Sequence, residues 1–448
     1  MKSLEVKIVK KLIKDIKIPG DKSISHRAVM LGAIAKGPTN ISNFLHSEDC
    51  MRTVQCFRDM GIEITEDPPS PFGLRRAGRG QWTVNGKGLK GLKKPKDILY
   101  AGNSGTTVRL LSGILAGQNF ESMITGDDSI LKRPMKRIID PLSKMGARID
   151  ARDVTYCPLA IMGTKLKAIE YSLPVASAQV KSCILLAGLY AEGLTKVIEI
   201  IPSRDHTERM LEFMGGKIKR EPLDKLGASR GQKIVISAGE LEGQDIIVPG
   251  DISSAAYFLV AAAIIPGSEI TVKDVGVNPT RTGIVEVLHR MNVDIEVINE
   301  RLINNEPRAD IKVKYCSNLK GIKISGSLIP RLIDEIPIIA VLASQAQGET
   351  VIADAAELRV KESDRIATMA TELKKIGIQV EETEDGMKIT GNPGGFIRSS
   401  EVIQSHGDHR VAMSMAIAGL ITREGLRIND TACIETSFPG FENMIKGF

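Results

Sequence analysis

The sequence predicts an α/β chain of two similar lobes, each assembled from three copies of one helix-and-strand unit. Three observations carry this. The 448 residues exceed what a single hydrophobic core organises, so two domains are expected. A small polar cluster, then an Ala-rich apolar run, a Gly and a β-branched run recur near Asp21, Asn103, Ser177, Asp251, Asp334 and Asp408, at intervals of 82, 74, 74, 83 and 74 residues. Between these starts lie Met60-Gly61, Met145-Gly146, Met214-Gly215, Met291-Asn292 and Ile376-Gly377, each closing a helical stretch ahead of a strand. Gly and Asn are the residues that tolerate left-handed backbone just past a helix end.

Taken in order, Met1–Ile18 alternates apolar residues such as Leu4, Val6 and Ile8 with lysines and reads as one half-buried strand. The clearest unit openings are Gly20-Asp21-Lys22-Ser23 before Ala28–Ala35, Gly250-Asp251-Ile252-Ser253-Ser254 before Ala255–Ile265, and Gly407-Asp408-His409-Arg410 before Val411–Leu420. Each unit reads as helix, strand, helix, strand. The fourth begins the second lobe, with Pro249-Gly250 as the hinge, because neither residue continues a helix or strand comfortably. A second crossing at Pro19-Gly20 returns the N-terminal strand to that lobe. The expected domains are therefore 20–249, the N-terminal lobe, and 1–19 with 250–448, the C-terminal lobe.

Aromatic residues are 4% of the chain, with a single Trp82, too few for base-stacking platforms, so no nucleic-acid partner is expected. The net charge of +6 suits an anionic small molecule without requiring a polyanion. Six scattered cysteines with no C-x-x-C pair read as reduced thiols of a cytoplasmic protein. The N-terminus lacks the continuous apolar stretch of a signal peptide, and the longest apolar run, Ala255–Ile265, is too short for a bilayer. No membrane partner is expected, and the chain is expected to act as a monomer.

The chemistry is sought at the openings of the units. Asp, Asn, Ser, Thr and Gly there are ordinary helix N-caps. Yet Lys22, Arg27, Arg109, Lys181, His409 and Arg410 lie at or near the same ends. A helix N-terminus already attracts anions, so added cations are favourable there only when an anion arrives. Asn103-Ser104-Gly105-Thr106-Thr107 resembles an anion-cradling loop without the spacing of a nucleotide P-loop. Lys361 and Arg365 fall at i,i+4 and would share one helix face, with an acidic ligand or carboxylate between them. Asp334 and Glu335 stand inside an apolar run, where a carboxylate either caps a helix or serves chemistry. His406 and His409 lack the further ligands of a metal site, so no metal is expected. The reading is an enzyme holding small, strongly anionic substrates in a cleft between two lobes.

The chain resembles the 5-enolpyruvylshikimate-3-phosphate synthase (EPSP synthase) family through seven stretches in order: Pro19–Arg27, Gly102–Arg109, Leu131–Pro134, Ser177–Gln179, Ser203–Glu208, Leu358–Arg365 and Asp408–Arg410. The resemblance implies two lobes of three βαβαββ repeats each, the inside-out barrel of the enolpyruvyl transferases. It also implies transfer of the enolpyruvyl group of phosphoenolpyruvate to the 5-hydroxyl of shikimate 3-phosphate, with no cofactor. On the matching positions, Lys22, Ser23, Arg27, Ser177, Ala178, Gln179, Arg204, Asp334 and Lys361 would hold shikimate 3-phosphate. Lys22, Gly105, Arg133, Gln179, Arg365 and Arg410 would hold phosphoenolpyruvate. Asp334 would move the proton at the attacking hydroxyl, Glu362 the proton at the vinyl carbon, and Lys22 would share that work.

Against one branch of the family, Ala178 stands for a Ser, Glu357 for an Asn, and Glu435–Pro439 lacks a Lys before its aromatic-proline pair. The chain resembles the second, more bacterial branch. Two alternatives share the architecture. The UDP-N-acetylglucosamine enolpyruvyl transferases carry Lys-Asn where this chain has Lys22-Ser23, and commonly a Cys in the loop that is here Gly126–Met135 and has none. An RNA 3′-end cyclase would need a nucleophilic His with a nucleotide site, and no such pattern stands out.

Overall fold

The computed structural model describes residues 2–67, 81–223, 231–394 and 402–448. The chain groups into two compact units, one of Met1–Pro19, Pro249–Arg301 and Pro307–Phe448, the other of Gly20–Val248 and Leu302–Glu306. Each has its own core: residues from Ile24 to Val248 form one apolar cluster, and Leu4 to Ile18 with Ile252 to Ile445 form the other.

The repeat is clearest in the third copy. A short strand Glu170–Ser172 leads into helix Ala178–Gly188, strand Leu194–Glu199, helix His206–Phe213 and the strands Ile218–Pro222 and Gln232–Ser237. The pattern read from residues alone therefore lacked a lead strand and a closing strand. The four strands form one sheet, with the lead strand parallel to its neighbour and the closing strand antiparallel to both of its neighbours. Five sheets have four strands and one has three among the described residues, and none closes on itself.

Two copies are completed from far along the chain. Asp245–Ile247 pairs parallel with Lys36–Ser42, setting Asp245 opposite Asn40. Ile13–Lys17 pairs parallel with Glu269–Gly276, setting Ile13 opposite Glu269. The single N-terminal strand expected from the alternation is thus two: Ser3–Val6 joins a different sheet, antiparallel to Leu426–Asn429.

The helices opening the repeats are largely apolar, and most of their polar side chains are buried with them. Every residue of Ile252–Ile264, Ile336–Ala343 and His409–Gly419 is buried in one unit. Lys22–Ile34, Gly105–Ala116 and Ala178–Gly188 are nearly so in the other. Close packing needs small residues: a Cβ on Gly113 would come within 2.2 Å of the Cys183 carbonyl oxygen. All five helix-ending pairs behave as read, with Gly61, Gly146, Gly215, Asn292 and Gly377 at φ of +83°, +95°, +86°, +75° and +85°.

Candidate active site

In the unit of Gly20–Val248, three helices open on capped turns. Asp21 accepts from the Ile24 amide at 2.9 Å, Ser104 from Thr107 at 3.1 Å and Ser177 from Val180 at 3.4 Å. Side-chain bonds tie these turns together. Arg27 donates from Nε to Thr207 Oγ1 (2.7 Å) and from Nη2 to Ser182 Oγ (2.8 Å), reaching from the first helix to the third repeat. Gln179 accepts from Arg109 at 2.7 Å and donates to Thr106 Oγ1 at 3.1 Å, joining the second and third. Lys22 donates to Asp49 at 2.9 Å, with both side chains partly exposed. Burial pulls the Arg27 pKa down to about 10 despite the opposing Glu208 and Asp21.

Arg133 follows a short helix, Asp128–Lys132, capped by Asp127. It donates to Asn103 Oδ1 at 2.7 Å and to Ser129 Oγ at 2.8 Å. Gly105 lies beside two guanidinium groups: a Cβ there would be 2.8 Å from Arg109 Nη1 and 3.4 Å from Arg133 Nη1. The first turn of a helix and two arginines thus surround a residue with no side chain, the arrangement that draws in a phosphate or carboxylate. Ser23, Ala178 and Arg204 are all half-buried at these turns, Arg204 on the loop into helix His206–Phe213 and electrically close to Arg27.

Lys181 does not join them. It is fully buried and held by Glu199 at 2.9 Å, Glu208 at 2.7 Å and the Ser203 carbonyl at 3.3 Å. Its charge is spent inside the protein, which corrects its reading as a cation awaiting an anion.

The other unit carries the acidic groups. Arg365, 1% exposed, donates to Asp408 Oδ2 at 2.8 Å, to Asp334 Oδ1 at 3.3 Å and to Glu362. Arg410 donates to the Asp334 carbonyl at 3.0 Å and lies 3.7 Å from its carboxylate. Burial opposes both arginine charges. Asp408, Glu362 and Asp334 nevertheless raise the pKa of Arg365, as Asp334 and Glu335 do for Arg410. Burial likewise works against the Asp408 carboxylate, yet Arg365 and His409 hold it below the usual range. Lys361 is half-buried, and burial with the nearby Arg365 lowers its pKa although Asp334 opposes.

Two sequence expectations are corrected here. Lys361 and Arg365 do not share a helix face: Lys361 is extended at the end of a 3-10 turn, Ala356–Val360, and the α-helix starts at Arg365. The reason is local, since Asp364 accepts from the Ile366 and Ala367 amides at 3.1 and 3.0 Å and so caps a new helix. Of the carboxylate pair, Asp334 faces the arginines. Glu335 is buried on Ser253 and Arg281, and neither caps the helix Ile336–Ala343 through its side chain.

The structure therefore brings Lys22, Ser23, Arg27, Gly105, Arg133, Ser177, Ala178, Gln179 and Arg204 to the helix openings of one unit. Asp334, Lys361, Glu362, Arg365 and Arg410 gather in the other. Asp49, Thr106, Asn103 and Ser129 were missed as partners. Asp49 follows Ser47-Glu48 and reads as plain helix-start acid, so only its contact with Lys22 marks it out. His406 pairs with Glu372 at 2.7 Å, and among the described residues no cluster of His, Cys, Asp or Glu could hold a metal ion.

The family model of EPSP synthase (3-phosphoshikimate 1-carboxyvinyltransferase) matches residues 6–445. The chain belongs to this family. The 3-phosphoshikimate 1-carboxyvinyltransferase of Thermoanaerobacter sp. (strain X514) is 53% identical over 439 residues, covering 98% of each chain. That of Brevibacillus brevis is 50% identical over 443 residues, covering 99% of each. The structure of EPSP synthase from Acinetobacter baumannii matches with a TM-score of 0.84 at 46% identity, covering 100% of this chain and 98% of that one. The enolpyruvyl transferase NikO from Streptomyces tendae matches with a TM-score of 0.77 at 15% identity over 99% of this chain and 97% of that one, a likeness of fold alone.

Proposed function

We propose that this chain transfers the enolpyruvyl group of phosphoenolpyruvate to the 5-hydroxyl of shikimate 3-phosphate, releasing phosphate, in the shikimate pathway that leads to chorismate and the aromatic amino acids. The observation that carries the reading is the Gly105 turn flanked by Arg109 and Arg133, in a chain whose family membership spans residues 6–445. Phosphoenolpyruvate brings a phosphate and a carboxylate, and its partner a second phosphate and carboxylate. Several fixed cations are needed to offset their repulsion.

The proposed roles follow from the groups at hand. Lys22, Ser23, Arg27, Ser177, Ala178, Gln179, Arg204, Asp334 and Lys361 hold shikimate 3-phosphate. Lys22, Gly105, Arg133, Gln179, Arg365 and Arg410 hold phosphoenolpyruvate. Asp334, paired with Arg365 and Arg410, accepts the proton of the 5-hydroxyl as its oxygen attacks C2 of phosphoenolpyruvate. A proton reaches C3 in the same addition. Elimination then breaks the C2–O bond to phosphate and returns the C3 proton to the protein, work given to Glu362 with Lys22 assisting. No cofactor takes part in these steps. The six cysteines are free thiols, which suits a cytoplasmic setting, and among the described residues no helix is long and apolar enough to cross a membrane.

The test is phosphate release from phosphoenolpyruvate with shikimate 3-phosphate as acceptor, and with UDP-N-acetylglucosamine as the rival, the product being read by 31P NMR. Turnover with the sugar nucleotide alone would overturn the proposal. Light scattering at the mass of one 48.6 kDa chain checks the proposed monomer.

A further inference from the structure

His26 has no part in the chemistry above, yet it sits one helical turn past Lys22 and next to Arg27, fully buried. Its Nδ1 is 2.7 Å from Thr53 Oγ1, which is 2.7 Å from Thr107 Oγ1, which is 2.8 Å from Ser104 Oγ. All four side chains are at most 1% exposed. The chain thus runs from helix Lys22–Ile34 through helix Glu48–Asp59 to the cap of helix Gly105–Ala116, the turn beside Arg109 and Arg133.

The direction of these bonds can be worked out. Burial, with Lys22 and Arg27 nearby, pushes the His26 pKa well below its ordinary value, so the ring is neutral and carries one N–H. Nε2 is buried with no hydrogen-bond partner among the described residues. An orphaned buried N–H is rarer and costlier than an orphaned lone pair, so the proton belongs on Nδ1. Nδ1–H then donates to Thr53, Thr53 to Thr107 and Thr107 to Ser104. Ser104 Oγ also accepts from the Thr107 amide at 3.1 Å. With both lone pairs engaged, Ser104 Oγ has its own proton left to donate to a group outside this chain of hydroxyls.

We propose that His26 is a positioning residue which, through Thr53 and Thr107, turns the Ser104 hydroxyl into a donor for the anion at that turn. Resting on the reaction proposed above, that anion is phosphoenolpyruvate. The role sets affinity for one substrate and leaves the other alone.

Steady-state kinetics of His26→Leu, Thr53→Val, the double variant and His26→Asn test it. Leu and Val remove the relay while filling the space, whereas the Asn carboxamide returns an N–H donor near the Nδ1 position. The expected result is a rise of about tenfold in KM for phosphoenolpyruvate in both single variants, as for one hydrogen bond to a charged group. KM for shikimate 3-phosphate should stay within about twofold, the double variant should be no worse than the worse single one, and His26→Asn should stay near wild type. Equal rises for both substrates, additive losses or failure of Asn to rescue would overturn the relay. If His26→Leu does not fold, Thr53→Val, isosteric with the native side chain, reads the same chain. Should wild type turn over a different acceptor while these variants still lose only phosphoenolpyruvate, the acceptor is wrong and the relay stands.

Discussion

Gly105→Ala tests the architecture of the arginine-flanked turn with a single methyl group. That methyl would sit 2.8 Å from Arg109 Nη1, 3.4 Å from Arg133 Nη1 and 3.7 Å from Arg109 Cζ. A carbon cannot stay at 2.8 Å from a guanidinium nitrogen, so Arg109 must recede by roughly half an ångström to restore ordinary contact. Its Nη1 is held at 2.7 Å by Gln179 Oε1, and Gln179 is itself fixed by Thr106 at 3.1 Å. Receding therefore strains or breaks a charge-assisted hydrogen bond worth about 1.5–3 kcal/mol. The methyl also narrows the space left for the proposed ligand. At about 1.4 kcal/mol per tenfold, kcat/KM for phosphoenolpyruvate should fall about 10- to 150-fold. Glyphosate, which in the family occupies the phosphoenolpyruvate position, should inhibit wild type, with an inhibition constant that rises in the variant. KM for shikimate 3-phosphate should rise less than that for phosphoenolpyruvate, and the melting temperature should fall by a few degrees, because the strained hydrogen bond outweighs the gain in helix propensity of Ala over Gly. The assay is phosphate release against each substrate in turn, with and without glyphosate. Equal glyphosate inhibition of both forms, or an equal loss for both substrates, would refute the steric argument.

Three other outcomes are expected. Arg133→Ala should reduce kcat/KM for phosphoenolpyruvate by about 2–5 kcal/mol, as when a desolvated charge pair loses one member, and an unchanged value removes Arg133 from the site. Lys361→Met should stabilise the substrate-free protein near neutral pH while raising KM for shikimate 3-phosphate. Burial lowers the Lys361 pKa below the ordinary 10.5, so charging it opposes folding at every pH below the folded value. That penalty fades as pH rises towards 10.5, and the advantage of Met in urea unfolding should shrink between neutral and pH 10; a Met variant less stable at pH 7 contradicts this. Lys181→Met leaves Glu199 and Glu208, both fully buried, without their cation, and should destabilise the protein by about 3–5 kcal/mol in urea unfolding. A variant as stable as wild type would show that those carboxyls take up protons at no cost.

The buried acid of the other unit makes the opposite pH case. Asp408 has a folded pKa below the ordinary 3.8, so its pairing with Arg365 stabilises the fold above the unfolded value. That contribution is lost only as pH falls through the depressed one, which leaves it complete across the physiological range.

What the sequence determined by itself was whatever depends on a few neighbouring residues. Caps at Asp21, Ser104, Ser177, Asp251 and Asp408 and left-handed residues at Gly61, Gly146, Gly215, Asn292 and Gly377 follow from local backbone chemistry, and their spacing exposes the repeat. The Asp364 cap obeys the same rule, and it overrides the i,i+4 spacing of Lys361 and Arg365 by starting the helix at Arg365. Tertiary structure decided which charges are already neutralised. Lys181 and Arg109 stand at similar helix openings, yet one is consumed by Glu199 and Glu208 while the other flanks Gly105. Asp334 and Glu335 are adjacent but face different arginines. Asp245–Ile247 and Ile13–Lys17 complete sheets whose other strands are distant in sequence. Pairing through space depends on where packing brings remote segments, and no window of neighbouring residues contains that information.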